Sequence, residues 1–249
     1  MDDTLFWKAE AACRAAWPAA HERLLDGWIV RQAGGTTRRT NSANPTAAAA
    51  SVAAVRPAIE RLFEERGQDP LFRVPDLLPA FEEELAEAGF AAGGETCTLL
   101  ASLEERPDYR ASGAMLDPAV SPEWLRAKRG LSPMETEQAR IYSAMVDGLT
   151  LPRAFASLSR DGGIAAVAYG VVAEDLLVIE SVVTDPAHRG EGLGRACVGR
   201  LLGWALDEGV GRACLQVEAG NEPARALYLR LGFTRELYRY RYWRKPRRA

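Results

Sequence analysis

The chain has 249 residues, 47% hydrophobic and 26% charged, a balance that fits one or two folded domains and excludes a disordered chain. No window approaches roughly 18 uninterrupted apolar residues, which excludes a membrane-spanning helix, and the acidic start Met1-Asp2-Asp3 lacks the cationic segment of a secretory leader. The formal net charge of -3 is uneven: residues 1–116 carry 12 Lys+Arg against 18 Asp+Glu, and residues 117–249 carry 19 against 16.

In chain order, residues 27–32 predict a strand, 48–66 a long alanine-rich helix, 71–74 a strand, 78–88 an acidic amphipathic helix and 95–102 another strand. The segment from Gly34-Gly35-Thr36-Thr37-Arg38-Arg39 to Pro45 takes the place of a phosphate loop in this order. It lacks Gly-x-Gly spacing, so no cofactor is expected on it. Facing an acceptor, holding two halves together and being a solvated loop all remain open for it. Residues 111–122, small and proline-containing, read as a linker.

Beyond the linker, helices are predicted at 122–128 and 133–146, the second with Ser132 as N-cap and Pro133 in its first turn. A strand at 154–159 turns through Asp161-Gly162-Gly163 into another at 165–172, by the turn chemistry of a hairpin. Residues 176–184 are β-branched and apolar, as in a buried strand. A helix at 191–208 places Leu193, Ala196, Cys197, Leu201, Trp204 and Ala205 at a period of about 3.6 and stops at Gly209. A strand at 213–217 and a helix at 223–231 ending at Gly232 follow. Residues 233–243, alternating aromatics with Arg, read as a strand bent into two.

The downstream order, β-β-β-α-β-α-β preceded by helices, predicts an α/β (α+β) fold in which a mixed sheet is covered by helices. The upstream β-α-β-α-β repeats the end of that order. An internal duplication is therefore expected, with a degenerate domain over 1–116 and a second domain over 117–249.

The four cysteines (Cys13, Cys97, Cys197, Cys214) form no CxxC, and there are two histidines, His21 and His188. That pattern argues against a zinc site, a disulfide framework and a Cys/His or Ser/His hydrolase. The thiols are expected to pack as small apolar residues in a reducing cytoplasm. In the C-terminal stretch Arg235, Arg239, Arg241, Arg244, Lys245, Arg247 and Arg248 face only Glu236. This suggests either a polyanionic partner or a solvated strand face, and no interleaved RNA-binding signature favours nucleic acid.

The chemistry concentrates in Arg189-Gly190-Glu191-Gly192-Leu193-Gly194-Arg195, between the buried strand and the following helix. Glycines there let a ligand approach the backbone, and the helix N-terminus adds about half a positive charge, a combination suited to a pyrophosphate. A tight turn alone would use the same residues. The turn is not a P-loop, because Gly194-Arg195-Ala196 stands where Gly-Lys-Ser/Thr is required, and a three-strand meander precedes it rather than the first strand of a dinucleotide fold.

The stretch Val182-Val183-Thr184-Asp185-Pro186-Ala187-His188-Arg189-Gly190-Glu191-Gly192-Leu193-Gly194 resembles motif A of the GNAT superfamily of N-acetyltransferases, whose core is Arg/Gln-x-x-Gly-x-Gly/Ala. Leu215-Gln216-Val217-Glu218, Asn221, Ala224, Ala226-Leu227-Tyr228 and Leu231-Gly232-Phe233 resemble motif B at the right distance. The resemblance covers 117–249. Upstream it is repeat-like and similar to the degenerate half of two-domain, tandem members.

The resemblance implies that the backbone of Val182, Val183 and Thr184 pairs with the pantetheine amides of acetyl-CoA, where ordinary sheet pairing is the alternative. It implies that Arg189, Gly190, Glu191, Gly192, Leu193, Gly194 and Arg195 hold the pyrophosphate. Asn221 would bond the cofactor near the pantetheine arm or merely cap its helix. Tyr228 would be the general acid or an aromatic packed on its helix. Glu180 or Glu218 would take the amine proton, with Glu180 preferred; Gln216, an amide, does not titrate.

The implied activity is acetyl transfer from acetyl-CoA to a primary amine of a small molecule or peptide by direct attack, without metal. The protein would be cytoplasmic, without membrane or nucleic-acid partners, and compatible with a homodimer. The alternative is a non-catalytic acyl-CoA-binding sensor or partner-regulating module.

Overall fold

The computed structural model describes residues 3–34, 37–103, 109 and 113–245. In chain order the elements are α1 (Asp3–Ala16), β1 (His21–Leu25), β2 (Trp28–Gln32), β3 (Ala43–Pro45), α2 (Val52–Glu64), β4 (Leu71–Pro75), α3 (Pro79–Glu87), β5 (Ala91–Ser102) and β6 (Met115–Asp117). Then come α4 (Pro122–Leu131), α5 (Thr136–Asp147), β7 (Arg153–Arg160), β8 (Gly163–Ala173), β9 (Leu176–Thr184), α6 (Leu193–Asp207), β10 (Arg212–Glu218), α7 (Glu222–Arg230) and β11 (Arg235–Arg244). They form two compact units, one of residues 1–16, 98–217 and 221–236, the other of residues 17–97, 218–220 and 237–249.

In the first unit the strands run in the order β5-β10-β9-β8-β7-β6. Two hairpins build its middle. Asp161 (φ 50) with Gly162 (φ 84), and Glu174 (φ 52) with Asp175 (φ 60), place successive residues in the left-handed region, as the twist of a two-residue hairpin demands. β8 and β9 are buried along most of their length and bring Val167, Tyr169, Val171, Leu176, Leu177 and Val178 to the core. Helix α6 buries Leu193, Cys197, Val198, Leu201, Leu202 and Ala205 against β7, β8 and β9. Its end is followed by Gly209 at φ 77.

Helix α1 is absent from the sequence-based expectation, although Leu5, Phe6, Ala9, Ala12, Cys13 and Ala16, all buried, recur at helical spacing. The Tyr169 hydroxyl donates to the Ala16 carbonyl at 3.0 Å and ties the helix end to β8.

The second unit orders its strands β1-β2-β3-β4-β11-β5. Asp26 (φ 43) and Gly27 (φ 78) close the β1–β2 hairpin. The core is Trp28, Val30, Val52, Val55, Ile59, Phe63, Phe72, Val74, Leu85, Phe90 and Trp243, with Trp28 edge-on to Phe72 at 5.5 Å between centroids. Ser51 caps α2 by accepting from Ala54 N. Its element order, β1-β2-β3-α2-β4-α3-β5, matches β7-β8-β9-α6-β10-α7-β11.

Several expectations are corrected. The second downstream helix begins at Thr136, with Glu135 and Gln138 forming a reciprocal capping box, while Ser132 is instead the C-cap of α4. The stretch 233–243 is not two strands but one, paired with β4 from Tyr240↔Pro75 to Arg244↔Leu71. Within the expected linker, β6 pairs with β7, and Ala111 and Ser112 lie outside the described residues. The segment 34–45 does not hold the phosphate-loop position: it ends in β3 itself, and residues 46–51 connect β3 to α2. Gly35 and Thr36 are outside the described residues.

The basic side chains of β11 meet acids of the same unit: Arg239 reaches Glu95 at 3.0 Å, Arg241 binds Glu82 through two contacts of 3.0 and 2.6 Å, and Arg244 pairs with Asp69. Arg247 and Arg248 lie outside the described residues. Among the described residues no helix is long and apolar enough to cross a membrane.

Candidate active site

Strand β9 changes character halfway. Its parallel ladder with β10 pairs Leu177↔Ala213, Val178↔Cys214 and Ile179↔Leu215, whereas β9 itself continues to Thr184. On the other side it stays with β8, where the register steps from Tyr169↔Glu180 to Val167↔Val183. One extra β9 residue is accommodated there, and Ser181 carries the bulge at φ 53, a left-handed conformation rare for a side chain other than glycine, Asn or Asp. Beyond the bulge Val182, Val183 and Thr184 are half-buried, and Val183 and Thr184 pair with Val167 and Ala166 of β8, past the end of the β10 ladder.

The turn after β9 opens with Asp185, whose Oδ1 accepts from Ala187 N at 2.9 Å. Gly190 (φ 85) and Gly192 (φ 82) are both left-handed, and a Cβ on either would meet no heavy atom within 4 Å. Gly194 is different: a Cβ there would stand 3.0 Å from Thr184 Oγ1 and 3.7 Å from Leu227 Cδ2. So the outer face of the turn is open and its inner face is closely packed. Gly192 is the N-cap of α6, Leu193 and Gly194 are buried in its first turn, and Arg189 and Arg195 are exposed beside it. The first N–H groups of a helix have no intrahelical acceptor, so this end can hold an anion. Glu191 is engaged by His188 Nδ1 at 3.1 Å and Arg160 at 3.9 Å, which fastens the turn to the end of β7.

Glu180 is buried, 5% exposed, immediately before the bulge. Tyr228 lies on the inward side of α7, 8% exposed, with its ring edge-on to Phe233 at 5.9 Å. Burial raises the phenol above its ordinary range, and the charge of the Glu180 carboxylate adds to the shift. Glu218 is elsewhere: its side chain is 73% exposed and sits 3.8 Å from Arg38. Asn221 caps α7, its Oδ1 accepting from Ala224 N at 3.2 Å, a role that leaves its amide N–H donors for other partners.

One further group borders the bulge and was not singled out from the sequence. The Tyr142 hydroxyl, from α5, bonds Ser181 Oγ at 2.8 Å. The polar pair Glu180-Ser181 inside an otherwise apolar strand was the available signal for a bulge. All four cysteines are free and buried, and Cys197 is pushed up to about 12 by burial, which makes it inert as a nucleophile. No group of His, Cys, Asp and Glu suited to a metal occurs among the described residues.

The chain is similar to known proteins along most of its length. Residues 7–243 match the family described as "Probable histone acetyltransferase Rv0428c C-terminal". The uncharacterized N-acetyltransferase YobR of Bacillus subtilis is 23% identical over 239 residues, 94% of this chain and 96% of the relative. Streptothricin acetyltransferase of Streptomyces lavendulae is 37% identical over 84 residues, 32% of this chain and 44% of that protein. Among solved structures, a GCN5-related N-acetyltransferase from Kribbella flavida superposes with a TM-score of 0.70 at 17% identity, covering 96% of this chain and 95% of that one. A tandem GNAT protein from the clavulanic acid biosynthesis pathway gives a TM-score of 0.62 at 16% identity, covering 79% of this chain and 70% of that one. With the parted strand, the glycine turn and a family match spanning most of its length, the chain belongs to this acetyltransferase family and is a GNAT-type N-acetyltransferase.

Proposed function

We propose that the chain transfers acetyl from acetyl-CoA to a primary amine by direct attack on the thioester. The observation that carries this reading is the parting of β9 from β10 beyond Ile179↔Leu215, beside a glycine turn whose outer face is open. The edge of Val182, Val183 and Thr184 is suited to pair with the pantetheine amides as an added strand would. Arg189, the backbone from Gly190 to Gly194 and Arg195 would hold the pyrophosphate at the start of α6. Asn221 would add an amide donor near the pantetheine arm while still capping α7.

In the proposed reaction the amine nitrogen bonds to the acetyl carbon and its proton passes to Glu180, directly or through water. Backbone N–H groups of the β9 edge would stabilise the oxyanion. The carbon–sulfur bond then breaks, and Tyr228 supplies a proton or a strong hydrogen bond to the departing thiolate. Glu180 is favoured over Glu218 as base because it is buried and its charge acts on Tyr228, while Glu218 is exposed and faces Arg38. No covalent enzyme intermediate is required, in keeping with inert, buried thiols. Those free thiols also support a reducing, cytoplasmic setting. We read the chain as two GNAT-like halves, 1–116 degenerate and 117–249 catalytic, on the strength of the repeated element order.

The test is a calorimetric titration with acetyl-CoA, with free CoA and ATP as controls, followed by a thiol-release screen of primary amines. Saturable binding of acetyl-CoA but not ATP, and thiol release with at least one amine class, are expected. Absence of acetyl-CoA binding would overturn the reading. Binding without release on any amine would instead favour an acyl-CoA sensor.

A further inference from the structure

The inward face of α4 carries a residue whose chemistry the fold does not use. Trp124 and Lys128, one helical turn apart, are the buried residues of that helix, at 2% and 6% exposure. Trp124 is an ordinary core anchor: its indole N–H donates to the Ala156 carbonyl at 2.9 Å, and it lies edge-on to Phe155 and Tyr169. Lys128 is not. Its Nζ stands 5.2 Å from the centroid of the Tyr142 ring, and among the described residues no carboxylate approaches it within ion-pair distance. Burial pulls the ammonium down to about 8, with no acidic neighbour opposing the shift.

The same Tyr142 bonds Ser181 Oγ at 2.8 Å through its hydroxyl. Among the described residues this ammonium has no counter-ion, and it stands two contacts from Ser181, through Tyr142. An unpaired ammonium in such a place is costly, and a Met or Leu would fill the space without that cost. A ring face lowers the cost only in part.

Building on the transferase reading above, we propose that Lys128 recognises a carboxylate on the acceptor, so that the substrate class is an amino acid or short peptide bearing a free carboxylate within reach of its primary amine. One ammonium balances one negative charge; a phosphate dianion would bring a second charge with no partner. Tyr142 is a positioning residue: its ring carries the ammonium and its hydroxyl holds the bulge.

The test compares N-acetylated α-, β- and ω-amino acids with their carboxamides, titrated calorimetrically into the full chain, wild type and Lys128→Met, with kcat/KM for the parent amines measured alongside. Wild type is expected to bind at least one acid about tenfold or more tightly than its amide. Lys128→Met brings that ratio near one, leaves acetyl-CoA affinity unchanged and leaves the amide's affinity in place, while Lys128→Arg keeps part of the preference. A purely structural lysine would weaken acid and amide alike. Should the Met variant not fold, Lys128→Gln is read by the same ratio. The proposal is overturned if wild type binds no acid of the panel, if acid and amide bind equally, or if the preference survives removal of the charge. Failure to bind acetyl-CoA with the acid preference intact would instead overturn the transferase reading alone.

Discussion

Replacing Tyr228 with Phe removes one hydroxyl from α7 and keeps the ring that lies 5.9 Å from Phe233. The residue is 8% exposed, and the same apolar area stays buried in the variant. Stability should therefore change by about 1 kcal/mol or less, the net worth of one neutral hydrogen-bonding group. Turnover should fall much further. General-acid contributions run to about 10²–10⁴-fold, but burial and the Glu180 charge both raise this phenol, whereas a free thiol lies near 8.5. Proton delivery to the thiolate is then uphill, and the effect belongs at the low end, about 10- to 100-fold, or roughly 1.4–2.7 kcal/mol of barrier.

The same shift keeps the wild-type phenol protonated to higher pH than a free tyrosine. Loss of the acid should therefore contribute no decline in turnover up to about pH 10. The assay is thiol release across the pH range at saturating acetyl-CoA, with acetyl-CoA affinity measured separately to show that binding is unchanged. Turnover in Tyr228→Phe within a factor of two of wild type would refute the assigned role.

Glu180→Gln should reduce turnover about 100-fold or more and spare acetyl-CoA affinity, while Glu218→Gln, exposed and beside Arg38, should lose less than threefold; the reverse ranking in the thiol-release assay would reassign the base. Gly194→Val forces a side chain against Thr184 and Leu227, and Gly192→Val puts a β-branched residue at φ 82, at a cost of about 1–2 kcal/mol, on the open face of the turn. Both should abolish or strongly weaken acetyl-CoA binding by calorimetry, and normal binding in both would refute the pyrophosphate cradle. Stability should also fall at high pH. Burial raises Cys197 from 9.0 to about 12 and lifts Tyr228 and Tyr242 as well. Folded values above the unfolded ones mean that stability is full below about pH 9 and is lost as the pH rises, because the unfolded chain releases those protons first. A urea midpoint that stays flat from pH 8 to 11 would contradict this.

Much of the site was legible because its signals are local. The Asp161-Gly162 turn, the left-handed glycines at 190 and 192 and the helix stop before Gly209 each follow from one residue's own backbone preferences, and the structure places them where those preferences require. Asp26-Gly27 carried the same hairpin signal, yet β1 was missed because its side chains are mostly exposed and show no apolar alternation. β3 and β6 are three-residue strands with no periodicity of their own, and only pairing with β2 and β7 makes them strands. The second downstream helix started three residues later than its Ser-Pro signal because Glu135 and Gln138 satisfy each other's backbone donors.

By itself the sequence determined the order of strands and helices from β7 to β11, the glycine turn and the candidate acid–base residues, since these depend on side-chain type and short spacing. Only the tertiary structure decided which carboxylate's charge acts on Tyr228, that β9 leaves β10 after Ile179, and that Lys128 turns inward on α4 with Tyr142 beneath it. Those facts depend on residues tens to hundreds of positions apart meeting in one core. No local propensity records such encounters, because they arise when packing, rather than backbone preference, selects between otherwise equal conformations.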